Sequence, residues 1–122
     1  MTIEKITVDI KRQQSVVATL SQIRKISSIH LPIGHSFIPF DILVTVVDNF
    51  YNNKELTVKS LFASLPYSDM GLRYHFRKLV DSGWIELQKS NTDSRSKHVI
   101  PTDKLFIQFE LISTNLNSLL IT

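Results

Sequence analysis

The sequence predicts one mainly α-helical domain that contains a single small β-hairpin. Apolar residues recur at helical spacings of three and four over most of the 122 residues. The stretch between Gly83 and Pro101 is different, because two short apolar segments flank a polar run as strands flank a loop. A chain of this length can bury one core without metal or disulfide support, so residues 1–122 are expected to form one domain.

The N-terminal segment carries the pattern of a long amphipathic helix that ends near Ser28. Its apolar positions are Ile3, Ile6, Ile10, Val16, Val17, Leu20, Ile23 and Ile26. Pro32 and Gly34 then predict a loop over residues 30–36. Residues 1–30 are therefore expected to be a separate N-terminal helix, followed by a core at residues 39–101 and a C-terminal helix at residues 102–122.

A second helix is predicted after Pro39, a residue that the first turn of a helix tolerates. Its apolar positions are Ile42, Leu43, Val46, Val47, Phe50 and Tyr51, which lie on one helical face. The helix is expected to end at Asn52 and Asn53. A short strand over Glu55–Thr57 is a further expectation.

Two helices joined by a short turn are predicted over residues 57–82. Thr57 is a candidate N-cap for a helix with the inner positions Val58, Leu61, Phe62 and Leu65. After Leu65, Pro66 and Tyr67, Ser68 caps a helix with the inner positions Leu72, Phe76, Leu79 and Val80, and Gly83 suits its end. This arrangement is a helix-turn-helix, the motif that places its second helix in the major groove of DNA.

The β-hairpin follows directly, with strands expected at residues 84–88 and 98–100 around the loop at residues 89–97. Pro101 and Thr102 then provide a break and a cap for the last helix. Its apolar positions are Leu105, Phe106, Phe109, Ile112, Leu116, Leu119 and Leu120. A helix-turn-helix followed by such a hairpin is a winged helix.

Positive charge is concentrated in the helix-turn-helix and the hairpin. The whole chain has a net charge of +3, and residues 54–104 hold nine Lys and Arg residues against six Asp and Glu residues. Residues 54–104 therefore carry the entire excess of positive charge. Duplex DNA is therefore the expected partner.

The outer face of the fourth helix is expected to display Asp69, Met70, Arg73, Tyr74, Arg77 and Lys78. Arg73 lies near the start of the helix and is the candidate to read guanine in the major groove. Arg77 and Lys78 are expected to hold phosphates, and Ser68 could contact a phosphate in addition to capping the helix. Gly71 is either a tolerated glycine or one that lets the helix backbone approach DNA closely.

The hairpin carries Lys89, Arg95 and Lys97 around the turn-forming residues Asn91 and Thr92. An arginine at this position can enter the minor groove, where a narrow A·T-rich groove concentrates negative potential. Arg95 is the candidate for that contact. Residues 88–98 are thus expected to lie at the minor groove while residues 68–82 lie in the major groove.

Several motifs in this order resemble the MarR family of winged-helix transcription regulators. They are Leu79, Gly83, Ile85, then Asp93 and Arg95 in the wing, and Thr102 at the start of the last helix. The resemblance implies sequence-specific binding to a pseudo-palindromic duplex and regulation of transcription. It also implies that Asp93 steadies Arg95, that the first and last helices form a homodimer, and that a small-molecule effector could bind.

Other classes of function are not indicated. The absence of cysteine excludes thiol chemistry and is compatible with a cytoplasmic protein, and the longest apolar stretch is too short to span a membrane. His30, His35, His75 and His98 lack the spacing of zinc ligands. No catalytic motif or cofactor motif is present, so we expect neither an enzyme nor a bound cofactor.

Three alternatives remain open from the sequence. The terminal helices could only close the core of a monomer instead of forming a dimer. A winged helix could serve as a protein-interaction module within a larger assembly. The chain could also be a replication or partition factor of a mobile element, which binds DNA without regulating transcription.

Overall fold

The computed structural model describes residues 7–90 and 95–120. The elements in the described chain are α1 (Ile10–His30), α2 (Phe37–Tyr51), α3 (Val58–Ser64), α4 (Asp69–Asp81), β1 (Ile85–Lys89), β2 (Lys97–Pro101) and α5 (Asp103–Leu120). The mainly helical class with one hairpin is confirmed, and the elements follow the predicted order. Ile3 and Ile6 of the predicted first helix lie outside the described residues.

Side-chain caps fix where the helices begin. The Thr57 hydroxyl accepts from the Ser60 amide at 3.0 Å and the Ser68 hydroxyl accepts from the Gly71 amide at 3.1 Å, so both predicted N-caps are confirmed. Helix α2 begins at Phe37, two residues before Pro39, because Ser36 caps it. Gly83, at φ 79°, takes the left-handed conformation that ends α4.

The core forms around α2, which contributes Ile42, Leu43 and Val46, each at most 1% exposed. The other fully buried side chains come one each from α3, α4, β1 and α5: Leu61, Leu72, Ile85 and Leu105. These are the inward positions that the helical and strand periodicities predict. The helix-turn-helix and the hairpin therefore pack on the same core.

The hairpin is an antiparallel pair whose register runs from Ile85 opposite Pro101 to Lys89 opposite Lys97. The short strand predicted at Glu55–Thr57 is reduced to one bridge between Thr57 and His98. The Val99 amide donates to the Leu56 carbonyl at 2.8 Å. The segment cannot extend further as a strand because Thr57 already caps α3.

The junction of α4, β1 and α5 is closed by two side chains. The Thr102 hydroxyl donates to the Gly83 carbonyl at 2.7 Å, and the Lys104 ammonium donates to the Ser82 carbonyl at 3.0 Å. Lys104 also lies 4.4 Å from the centre of the Trp84 ring. A cation at a helix C-terminus is favourable, so Lys104 is expected to stabilise the end of α4.

The first half of α1 extends away from this core. Every residue from 10 to 18 is exposed, and the apolar side chains Ile10, Val17 and Leu20 are 65%, 64% and 60% exposed. Only the second half packs on the core, through Ile26 and Ser27. At the other end, the side chains of Leu119 and Leu120 lie outside the described part of the chain.

The turn between α3 and α4 is tied to α2 by a hydrogen bond from the Tyr67 hydroxyl to the Asp41 carboxylate. This bond raises the pKa of Tyr67 above its ordinary value of 10.0, and burial and the Asp41 charge raise the pKa further. The protonated phenol is thus favoured in the folded protein. The bond helps to set the position of α4 relative to the core.

Replacing Tyr67 with phenylalanine should lower stability at neutral pH and remove part of its dependence on alkaline pH. A raised folded pKa gives a contribution that is fully present below the unfolded pKa, near 10, and is lost as the pH rises through the folded value. Urea unfolding of both proteins between about pH 8 and pH 11 should show their difference shrinking as the pH rises. A difference that is constant with pH would contradict the assigned bond.

Candidate nucleic-acid interface

Helix α4 divides into a buried and an exposed face, as predicted. Leu72, Phe76 and Leu79 face the core at 1%, 8% and 3% exposure. The exposed side chains on the outer face are Asp69, Met70, Arg73, Tyr74, Arg77 and Lys78. This outer face presents cations, an aromatic ring and a thioether on a helix that is free of core contacts on that side.

Arg73 forms an ion pair with Asp69 on this face. Its Nε lies 2.7 Å from Oδ2 of Asp69, one helical turn earlier, and the two side chains are 74% and 65% exposed. An acid four residues before a base is the favourable order on a helix. This ion pair involves the arginine that is predicted from the sequence to read bases.

Tyr74 and Lys78 form a second pair one turn further along. The Lys78 ammonium lies 5.1 Å from the centre of the Tyr74 ring and 3.4 Å from its hydroxyl oxygen. Next to them, burial lowers the pKa of His75 below 6.5, and the charge of Lys78 lowers it further. The positive charge of this face at neutral pH is therefore carried by Arg73, Arg77 and Lys78.

The reason for a glycine at position 71 lies within the protein. A Cβ there would stand 3.1 Å from the Ser68 hydroxyl oxygen and 3.2 Å from Cδ1 of Ile38. Both distances are tight, so Gly71 lets the first turn of α4 approach its own cap and α2. This packing accounts for the glycine without DNA, and a contact between Gly71 and DNA stays a prediction.

A groove of about 730 Å³ separates α3 from the outer face of α4. Its apolar lining includes Phe62 and Phe76, and its basic lining is Lys59, Arg73 and Arg77. Lys59 belongs to the basic segment over residues 54–104, but it is not among the interface residues that the sequence predicts. Its position in the first turn of α3, on the side away from Leu61, is the signal that could have found it.

The hairpin places two lysines directly opposite each other. Lys89 and Lys97 are the last cross-strand pair before the loop, and both are exposed. Like charges at opposed positions destabilise a hairpin unless an anion lies nearby. Arg95 is exposed beyond them, and Ser90 and Ser96 close the loop with a 3.0 Å backbone bond. Asn91, Thr92 and Asp93 lie outside the described residues.

Replacing Lys97 with glutamate should change stability and DNA affinity in opposite directions. The opposed pair becomes attractive, which should raise the free energy of unfolding by about 0.2–1 kcal/mol. The same change places a negative charge at the proposed DNA surface and should weaken binding. Urea unfolding and fluorescence anisotropy with a labelled duplex measure the two effects, and a loss of both together would contradict this explanation.

A separate cavity of about 170 Å³ lies where α1 meets the loop before α2. Leu20, Ile23 and Phe40 supply apolar walls, and Arg24 and His35 supply polar groups. The Arg24 guanidinium also lies 5.7 Å from the centre of the Phe37 ring. The cavity is thus apolar with a polar rim, as small-molecule sites usually are.

Within residues 7–90 and 95–120, no three His, Asp or Glu side chains are grouped closely enough to hold a metal ion. None of the helices there has the length and apolar character needed to cross a membrane.

Proteins similar to this chain are found among solved structures. No protein-family model and no curated protein matches the chain. Three solved structures that match are NadR in complex with 4-hydroxyphenylacetate, a cysteine-to-serine mutant of MarR from E. coli, and the transcriptional repressor CouR bound to a 23-mer DNA duplex.

The three likenesses extend over most of each chain. NadR is 16% identical with a TM-score of 0.62, over 97% of this chain and 79% of its own. The MarR mutant is 17% identical with a TM-score of 0.58, over 94% and 82%. CouR is 16% identical with a TM-score of 0.58, over 89% and 70%. The chain therefore has the winged-helix fold found in MarR-type transcription regulators.

Proposed function

We propose that this protein binds double-stranded DNA in a sequence-specific manner and regulates transcription. The observation that carries the proposal is the outer face of α4, where Arg73, Arg77 and Lys78 are exposed on a helix whose other face is locked into the core. An α-helix fits the major groove, where base pairs present distinct hydrogen-bonding patterns. The matched repressor CouR is bound to a DNA duplex, which supports the same function here.

The residues of α4 divide into base readers and phosphate holders. Arg73 lies in the first half of the helix, the part that reaches base edges in helix-turn-helix proteins. Arg77 and Lys78 lie nearer its end and are proposed to bind phosphates, together with Ser68 at the cap. Met70 and Tyr74 supply apolar and aromatic contact on the same face. Lys59 joins the phosphate set because it lines the same groove as Arg77.

The hairpin is proposed to contact the adjacent minor groove. Lys89 and Lys97 would bind the phosphates that relieve their mutual repulsion, and Arg95 would enter the groove. Asp93, outside the described residues, is proposed to steady Arg95 as the family resemblance implies.

A homodimer is proposed to form through α1 and α5. The first half of α1 has three apolar side chains that are at least 60% exposed, and a second copy of this helix would bury them. On α5, Ile107 and Leu111 are 58% and 44% exposed and extend the apolar surface. A two-fold dimer would bind half-sites roughly 34 Å apart in a pseudo-palindrome.

A small-molecule effector is proposed to occupy the cavity between α1 and α2. NadR was solved in complex with 4-hydroxyphenylacetate, which shows that this fold can hold a small aromatic acid. Here Arg24 and His35 are among the polar groups on the cavity walls that such an acid would meet.

Fluorescence anisotropy with a labelled random-sequence duplex tests DNA binding itself. The double variant Arg77→Ala/Lys78→Ala should bind much more weakly than the wild type. A matched control, Lys11→Ala/Arg12→Ala, removes the same charge from the exposed start of α1 and should bind nearly as well. Equal losses in the two variants would mean that only net charge matters and would contradict a specific DNA face.

Failure to bind any duplex even at low salt would favour the protein-interaction alternative. One feature suits that alternative, an exposed aromatic cluster of Phe50, Tyr51 and Phe106 with ring centres 5.2–6.0 Å apart. Phe50 and Tyr51 are 45% and 65% exposed. DNA binding that maps to origins of replication, away from promoters, would instead favour the replication or partition alternative.

A further inference from the structure

We infer that Asp69 is a positioning residue for base recognition, which acts by holding Arg73 in one orientation. The inference rests on the proposed function and adds a residue to it. Asp69 lies on the outer face of α4 beside Arg73, whereas the other acid of this helix, Asp81, lies at its far end. Its negative charge suits the N-terminus of the helix but opposes phosphate binding, and its contact with Arg73 gives it a second role.

The contact between Asp69 and Arg73 is made at the Nε atom of the arginine. Asp69 engages Nε, at 2.7 Å from Oδ2. The guanidinium is planar and rigid, so fixing Nε also fixes the direction of the two terminal nitrogens. Those two nitrogens are the donors that can bind guanine N7 and O6 side by side. The pair therefore presents Arg73 in the form needed for a bidentate contact.

The alternative roles for Asp69 are weak on the same observations. Ser68, and not Asp69, caps α4, since the Gly71 amide donates to the Ser68 hydroxyl. Both members of the ion pair are more than half exposed, and such surface pairs contribute little to stability. Exclusion of water by a bound duplex lowers the local dielectric constant and strengthens the pair at the moment of recognition.

This role predicts opposite effects on affinity and on specificity. Without the Asp69 charge, α4 repels phosphates less, so binding to random DNA should tighten by up to about fivefold, the upper value for an exposed charge pair. Arg73 also becomes free to reach phosphates or other bases. Preference for guanine over other bases should fall by about five- to tenfold, the lower end of what a bidentate arginine contact supplies.

The test uses the full chain and a duplex enriched from random DNA by the wild-type protein. The guanine read by Arg73 is identified as the position whose preference Arg73→Ala abolishes. The affinity of Asp69→Asn is then measured by fluorescence anisotropy on three duplexes. They are this duplex, one in which that guanine pair is replaced, and a scrambled one. Asp81→Asn is the matched control, since it removes the same charge from the same helix far from Arg73. Asp69→Glu keeps the negative charge and tests whether it restores the guanine preference.

The expected result is that Asp69→Asn loses guanine preference and Asp81→Asn keeps it, with unchanged thermal unfolding midpoints. Asp69→Glu should recover part of the preference. In an Arg73→Ala background, Asp69→Asn should change the preference no further, which distinguishes positioning from direct reading by Asp69. An unchanged guanine preference in Asp69→Asn would overturn the inference and leave the proposed function intact. Enrichment of no sequence by the wild type would overturn both.

Discussion

The affinity of the protein for duplex DNA is expected to fall by about 10³–10⁵-fold between roughly 50 and 200 mM salt. Each phosphate held by a Lys or Arg releases bound counterions, and the logarithm of the binding constant falls with the logarithm of salt with a slope of about −0.9 per contact. The proposed phosphate set is Lys59, Arg77, Lys78, Lys89 and Lys97 in each protomer. Two protomers then supply up to about ten contacts, within the range that produces such a loss.

Single variants test how much each residue contributes to this salt dependence. Lys78→Ala removes two contacts from a dimer, so the slope should become less steep by about 1.8 while base preference stays unchanged. Arg73→Ala should have the complementary effect, with a similar slope and relaxed base preference. Anisotropy titrations at four or more salt concentrations give these slopes. A nearly flat salt dependence would contradict phosphate binding by this surface.

Replacing Val17 and Leu20 with aspartate should convert the protein to a monomer. The two side chains are 64% and 60% exposed on α1, so the change is not expected to disturb the core of one protomer. It places charges in the proposed dimer interface, where their desolvation is costly. Affinity for a two-fold site should fall by about 10²–10⁴-fold, because the second half-site is no longer held at high effective concentration.

Sedimentation equilibrium and anisotropy measure the two consequences. Gln22→Asp, at an exposed polar position of the same helix, is the control and should leave both assembly and affinity unchanged. An unaltered dimer in Val17→Asp/Leu20→Asp would place the interface elsewhere. A wild-type protein that is monomeric at all concentrations would mean that the terminal helices only close the core.

The fold was accessible from sequence because its signals are local and mutually consistent. Thr57 and Ser68 cap helices whose inner positions repeat at helical spacing, and Gly83 ends α4 in the left-handed conformation that favours glycine. The hairpin boundaries were predicted to within about one residue for the same reason. The strand expected at Glu55–Thr57 was not formed, because the cap of α3 competes for the same residues.

Features of the interface that depend on contacts between elements were not accessible in this way. The tight space at Gly71 involves Ile38 on α2, and Lys59 and Arg77 line one groove between two helices. Neither relation has a sequence spacing that predicts it. The pairing of Asp69 with Arg73 does have the spacing of a helical ion pair, but which donor atom it engages required coordinates.

Selection of binding sequences from random DNA, carried out in parallel with the wild type and Arg73→Ala, tests most directly whether α4 reads base edges. The wild type should enrich a pseudo-palindrome with half-sites roughly one helical turn, about 34 Å, apart. Arg73→Ala should enrich the same sequence with one guanine position in each half-site relaxed. No enrichment by the wild type, or enrichment that Arg73→Ala leaves identical, would contradict recognition through this face of α4.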